Sequence, residues 1–201
     1  MTYLFQLLLA EKELVGAAAA FISFAALIPY VISVWKGITK PHVISWFIWG
    51  ISTLTVFAAQ WLDDGGAGSW STFVGGAMTL VVIALAWYKY ADLSVTLSDI
   101  LCLNVALAAL PLWFFAKDAL LAVAILTFVD VIAYIPTFRK SWNKPREEQI
   151  LMYAIMTLRN GLAIMALEHY SPTTLLFPVI TGVANIALIA FITIRRYRVV
   201  S

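Results

Sequence analysis

Residues 14–35, LVGAAAAFISFAALIPYVISVW, decide the fold class, because they contain no charged side chain and only one proline. A transmembrane helix needs about 20 mostly apolar residues. Runs of this kind recur along the chain, and we predict spans at 14–35, 43–61, 70–90, 95–115, 119–138, 149–167 and 173–194. The runs lack the two-residue alternation of a membrane strand, so they favour helices over a closed barrel.

The composition excludes most other classes of protein. Of the 201 residues, 63% are hydrophobic and 12% are charged, and the mean hydropathy is +0.92. A soluble domain is roughly 45–50% apolar and about 25% charged. The net charge of +2 argues against a nucleic-acid partner, and the single cysteine cannot form an internal disulfide. We predict an all-α polytopic membrane protein, with residues 1–10 as a lead-in rather than a signal peptide.

The lysines and arginines predict the orientation, because cytoplasmic loops carry an excess of both. Ten of the 13 fall on one side of the predicted spans: Lys36, Lys40, Lys89, Arg139, Lys140, Lys144, Arg146, Arg195, Arg196 and Arg198. We therefore expect the N-terminus outside and the C-terminus in the cytoplasm, in a plasma or inner membrane.

Two proline-centred patterns, roughly 105 residues apart, indicate an internal repeat. Each proline is followed by a tryptophan and then by a Lys-Pro pair: Pro29, Trp35, Lys40 and Pro41 in the first copy, and Pro136, Trp142, Lys144 and Pro145 in the second. An extra helix between two three-helix units gives both the same orientation. We predict seven transmembrane helices as two parallel three-helix repeats, with the lead-in and first repeat at 1–90, a linker helix at 91–117 and the second repeat at 118–201.

In this layout the chain resembles the PQ-loop superfamily, whose members include SWEET sugar transporters, lysosomal cystine and cationic amino-acid exporters and PnuC-type vitamin transporters. The KDEL receptor is similar to it in fold. Tyr30 and Thr137 stand where that family has its glutamine. The resemblance implies a transporter of a small polar solute, an anion among the candidates. The alternative is a receptor or assembly protein with a central cavity and no transport. Pro29 and Pro136 are the expected hinges, or else static kinks.

Asp130 and Arg159 are the two charged residues that the predicted spans place near the middle of the membrane. A charge at that depth costs at least ~2.5–3.5 kcal/mol, so it marks a functional site by default. We expect either a direct ion pair that clamps two helices or a substrate or proton site, in which Arg159 holds a carboxylate or phosphate or Asp130 exchanges a proton. The repeat aligns Asp130 with Ser23 and Arg159 with Thr55, so neither charge has a charged counterpart.

Three uncharged residues complete the predicted substrate site: Asn185, Asn160 and Trp49. SWEETs are similar in carrying an asparagine on the third helix of each repeat, although the first repeat here has Val82, or Val81 with a one-residue shift, at the position aligned with Asn185. The asparagines could instead join helices by hydrogen bonds. No metal-ligand spacing or catalytic motif is visible, so we expect no enzyme, no metal and no cofactor. The expected partners are a small-molecule solute and the lipid bilayer, and assembly into a homo-oligomer is left as an alternative.

Overall fold

The computed structural model describes residues 2–37, 43–90, 97–116, 118–132, 134, 138, 141–142, 145 and 150–198. These residues form seven α-helices: α1 (Thr2–Trp35), α2 (Val43–Leu62), α3 (Trp70–Leu85), α4 (Leu97–Ala116), α5 (Ala119–Ile132), α6 (Ile150–Met165) and α7 (Pro172–Arg198). A 3₁₀ turn at Gly66–Ser69 leads into α3, and a π-helical segment at Ala86–Tyr90 follows it. The prediction of an all-helical chain is confirmed for the described residues.

Three helical stretches of the described chain are long and apolar enough to cross a membrane: Leu9–Trp35, Gly66–Tyr88 and Pro172–Arg198. Shorter apolar stretches lie at Trp46–Leu62, Ala119–Ile132 and Ile150–Met165. The predicted lead-in is continuous with α1 from Thr2 onward. With 34 residues, α1 is about 50 Å long. It therefore exceeds the ~30 Å hydrocarbon core and extends beyond it.

The outer surface is apolar, and many of the buried side chains are polar. Phe21 on α1 is 68% exposed, and Phe114 and Phe115 on α4 are 79% exposed. Arg159 and Asn160, by contrast, are buried. Water-soluble proteins rarely expose such extensive apolar surface, whereas contact with lipid requires it.

Two groups of three helices show the same packing pattern. We name them the first triple (α1–α3) and the second triple (α5–α7). In each triple the third helix packs against both others, α3 against α1 and α2, and α7 against α5 and α6. The triples meet where α1 packs on α6 and where α2 packs on α5. Helix α4 packs against α5 and α2. The six helices of the triples therefore form a ring around a common interior.

A proline in α7 is compensated by a side chain from the first triple. Pro178 is buried within α7 and has no N–H group, so the carbonyl of Thr174 receives no helical hydrogen bond. Gln60 Nε2 on α2 donates to that carbonyl oxygen at 3.0 Å. The bond joins the two triples. Pro29 lies within α1, which continues to Trp35, whereas Pro136 lies outside the described residues.

Candidate functional site

A cavity of about 330 Å³ lies within the ring, between the two triples. It is bordered by the later parts of α1 and α5, the earlier parts of α2 and α6, and the middle of α3 and α7. Small-molecule pockets measure about 300–1,000 Å³, so this one suits a small ligand. All five residues that the sequence predicts for the substrate site line it: Asp130, Arg159, Asn185, Trp49 and Asn160.

Arg159 extends from α6 towards the first triple. Its Nη1 lies 3.4 Å from the carbonyl oxygen of Ser71 on α3, which also accepts a hydrogen bond from Ser23 Oγ at 3.2 Å. A Cβ atom on Gly75 would lie 4.0 Å from Nη1, an ordinary van der Waals distance, so the guanidinium lies close to this part of α3. The side chain of Arg159 therefore contacts α3, and it does so at the interface between the triples.

Asn160 connects Arg159 to α7. Its Oδ1 accepts a hydrogen bond from Arg159 Nη2 at 2.7 Å, and its Nδ2 donates to Thr181 Oγ1 at 3.1 Å. Thr181 in turn donates to the carbonyl of Phe177 at 2.7 Å. A Cβ atom on Gly182 would lie 3.7 Å from the Asn160 side chain. These bonds fix the orientation of Asn160 and hold the guanidinium in place.

Asp130 has no such support. Its Oδ1 is enclosed and has no hydrogen-bond partner among the described residues, and the same holds for Arg159 Nε. The expected ion pair between Asp130 and Arg159 is not formed, because the guanidinium binds Ser71 and Asn160 instead. A carboxyl group and a guanidinium therefore line one cavity without pairing with each other. A buried polar atom without a partner costs about 1–3 kcal/mol.

The remaining wall combines aromatic rings with a hydrogen-bonded tyrosine. The rings of Trp46 and Trp49 meet edge to face with centroids 5.5 Å apart, and Tyr30 packs against Trp46 at 4.8 Å. Tyr134 donates to Asn185 Oδ1 at 2.8 Å. Trp46 lines the cavity together with Trp49.

Sequence reasoning missed several lining residues, and their spacing is the signal that could have found them. Seven lining positions in the first triple each have a lining counterpart 106 or 107 positions later. The pairs are Ser23 with Asp130, Leu27 with Tyr134, Trp46 with Tyr153, Trp49 with Met156, Thr53 with Asn160, Gly75 with Thr181, and Thr79 with Asn185.

The lining pairs differ from two of the expected alignments. The spacing pairs Asn185 with Thr79 instead of Val82, and it aligns Arg159 with Ser52 instead of Thr55. Thr55 and Val82 are buried but do not line the cavity. Both differences are shifts of three residues, which turn a helix position by about 300°, or about 60° in the opposite sense.

The end of the ring nearest Lys12 is closed by a set of contacts that we name the loop cluster: Lys12, Asp63, Glu168, His169 and Ser171, with the backbone of 65–69. Lys12 Nζ donates to the carbonyl of Leu167 at 2.6 Å. Asp63 accepts a hydrogen bond from Ser171 Oγ, and its carbonyl oxygen lies 3.0 Å from His169 Nδ1. Glu168 Oε1 accepts from the backbone N–H of Ala67 at 3.2 Å.

Glycines allow the backbones of the loop cluster to approach one another. A Cβ atom on Gly68 would lie 2.6 Å from the carbonyl oxygen of Ala163 on α6. One on Gly16 would overlap the carbonyl of Ala67. No side chain fits at either position, so α1, α6 and the turn before α3 are in tight contact. The loop cluster therefore seals the cavity on this side.

Compared with protein-family models, with curated proteins and with solved structures, the chain matches none of them. Within the described ranges there is no group of three or more His, Cys, Asp or Glu residues arranged to hold a metal ion. The arrangement of the site suits non-covalent binding of a small molecule, because its polar atoms converge on a cavity with aromatic walls.

Proposed function

We propose that the chain is a seven-span membrane transporter that moves a small polar solute by alternating access between its two triples. In this proposal α4 is the linker helix and the triples are parallel repeats, as in the PQ-loop superfamily. The observation that carries the proposal is the cavity, built from seven pairs of positions at a nearly constant spacing. Transporters made of repeats bind their solute at the repeat interface near the membrane midplane.

The contacts near Lys12 support closure of the cavity at that end. The loop cluster joins the triples there, while the cavity is bordered by parts of the helices further along α1. Lysines and arginines are concentrated at the opposite end, where α7 finishes with Arg195, Arg196 and Arg198. By the positive-inside rule that end faces the cytoplasm. In this proposal the N-terminus and the loop cluster therefore lie on the outer side.

Opening the outer side requires the loop cluster to separate. Its bonds are few, partly exposed and located in turns, so their rupture costs much less than unpacking a helix interface. The bond from Gln60 to Thr174 lies deeper on the same side, at the proline of α7. Pro29 remains the proposed hinge of the first triple, because proline removes a helical hydrogen bond within α1.

A reversible lock tests the proposal. Asp63→Cys with Ser171→Cys, in a Cys102→Ala background, can join the two turns by a disulfide where the native side chains are in contact. Proteoliposomes would be tested for uptake of labelled neutral sugars, amino acids, carboxylates and nucleosides. We expect uptake of at least one class, its loss on oxidation and its recovery on reduction. The single variant Ser171→Cys is the matched control, and oxidation leaves its uptake unchanged.

A receptor gives a different result in the same preparation. A ligand would then bind to the purified protein while no solute class crosses the bilayer, with or without the lock. Uptake that persists in the oxidised double-cysteine protein would also overturn the proposal, because the loop cluster would not have to open.

A further inference from the structure

One carboxyl group and one guanidinium line the cavity, and they are not paired with each other. Asp130 and Arg159 both line the cavity, and neither Asp130 Oδ1 nor Arg159 Nε has a partner among the described residues. A ligand with only negative charge would leave Asp130 unpaired, and a ligand with only positive charge would leave Arg159 without an anion. We infer that the cavity binds a small zwitterion with an aromatic body. The inference rests on the proposed function and names the substrate class of that site.

The guanidinium is prepared to receive an anion. Its contacts with Ser71 and Asn160 use two acceptors, and a guanidinium carries more N–H donors than these. Both acceptors are neutral, so the positive charge is not compensated by an anion. Because two helices hold the side chain in place, little conformational entropy is lost when a carboxylate binds to it.

The carboxyl group of Asp130 needs a donor that the described part of the protein does not supply. Tyr134, four residues later on the chain, directs its hydroxyl to Asn185 instead. A positively charged N–H group on the ligand satisfies the carboxyl group and supplies the missing opposite charge. Charge-assisted hydrogen bonds of this kind are about twice as strong as neutral ones.

The apolar body of the ligand is assigned to the first triple. In the paired positions, the first triple supplies Trp46 and Trp49, whereas the second supplies Tyr153 and Met156. The two indoles meet edge to face and both line the cavity, and aromatic pairs of this geometry are favourable contacts for a further ring. The volume of about 330 Å³ accommodates one such ring with its charged substituents. The carboxyl group and the guanidinium lie on the second triple and the two indoles on the first, so a ligand that contacts all of them joins the triples.

A set of three related probes tests the assignment by binding to the purified protein in detergent. L-Phenylalanine carries both charges, 3-phenylpropanoate lacks the ammonium group, and phenethylamine lacks the carboxylate. None contains an indole, so the protein's own tryptophan fluorescence reports binding. We expect L-phenylalanine to bind at least about tenfold more tightly than either analogue, equivalent to ~1.4 kcal/mol.

Two variants assign each charge to its residue. Asp130→Asn should abolish the preference for L-phenylalanine over 3-phenylpropanoate while the preference over phenethylamine remains. Arg159→Gln, or Arg159→Lys should the first variant not fold, should reduce the preference over phenethylamine instead. Asp64→Asn is the matched control, because Asp64 is exposed and has a φ of 56°, which asparagine tolerates.

The outcomes separate this inference from the proposed function. Equal binding of all three probes, no binding of L-phenylalanine, or unchanged preferences in both variants would overturn the zwitterion assignment. Transport of another solute class in proteoliposomes would leave the proposed function standing in that case. Binding of L-phenylalanine with the expected preferences but without any flux would support the ligand class and overturn transport.

Discussion

The hydrogen bond between Gln60 and Thr174 permits a quantitative test of how the triples are joined. Gln60 is 1% exposed, and its Nε2 donates to the carbonyl that Pro178 leaves without a helical donor. Replacing Gln60 by Met keeps the volume and removes the donor. The orphaned carbonyl costs about 1–3 kcal/mol. Gln60 Oε1 has no hydrogen-bond partner among the described residues. Removing this buried oxygen is therefore favourable and offsets part of the cost.

A second substitution shows whether the proline is the reason for the bond. Pro178→Ala supplies an N–H group that can donate to Thr174 within α7. In that background we expect Gln60→Met to cost close to zero, whereas in the wild-type protein it costs about 1 kcal/mol. That net value falls within the range of ~0.6–1.7 kcal/mol measured for hydrogen bonds inside membrane proteins. The coupling between the two substitutions is therefore about 1 kcal/mol in a double-mutant cycle.

The assay is equilibrium unfolding in mixed detergent micelles, followed by tryptophan fluorescence. Pro111→Ala provides the control background, because Pro111 also lies within a helix but on α4. There the cost of Gln60→Met should equal that in the wild-type protein. An equal cost in the Pro178→Ala background would refute the reasoning, since Gln60 would then contribute only its packing.

Three further predictions concern stability and motion. Gly16→Ala should destabilise the protein, because the new methyl group overlaps the carbonyl of Ala67. Gly161→Ala should stabilise it by up to ~1 kcal/mol, because a Cβ atom there has no neighbour within 4 Å. Thermal unfolding of both variants measures the difference. Pro29→Ala should leave the protein at least as stable but slow its exchange between access states, and unchanged exchange kinetics would exclude Pro29 as a hinge. Arg159→Gln should destabilise the protein, because it removes the hydrogen bonds to Ser71 and Asn160, whereas Asp130→Asn should not. In the double variant the two changes in unfolding free energy should add to within ~0.5 kcal/mol. Recovery of stability in the double variant would instead show that the two residues are partners.

Much of the fold follows from the sequence because membrane-spanning helices leave a strong local signal. The end of α2 was predicted at position 61 and lies at Leu62, and α6 was predicted at 149–167 and is described at Ile150–Met165. The start of α1 was less predictable, because the first residues continue the helix at Thr2 instead of forming a separate segment. A helix can continue past the apolar segment, because helix propensity does not change at the membrane boundary. Hydropathy does change there, so it predicts the boundary and not the end of the helix.

The candidate site was predictable in its members but not in its bonds. Asp130 and Arg159 are conspicuous in sequence because charge is rare at membrane depth. Their failure to pair depends on the direction of the Arg159 side chain, which is fixed by its hydrogen bonds to Asn160 and to the Ser71 carbonyl. Such contacts join residues far apart in the chain, and a hydropathy pattern carries no information about them.

Accessibility of the cavity from the two sides of the membrane tests the central claim most directly. Thr53 lines the cavity. The variant Thr53→Cys, in a Cys102→Ala background, would be treated with a membrane-impermeant thiol reagent in right-side-out and in inverted vesicles. We expect labelling from both sides, faster from the side bearing Arg195 and Arg196. Asp63→Ala should accelerate labelling from the other side by weakening the loop cluster. Labelling from one side only, at a rate that Asp63→Ala leaves unchanged, would contradict alternating access between the triples.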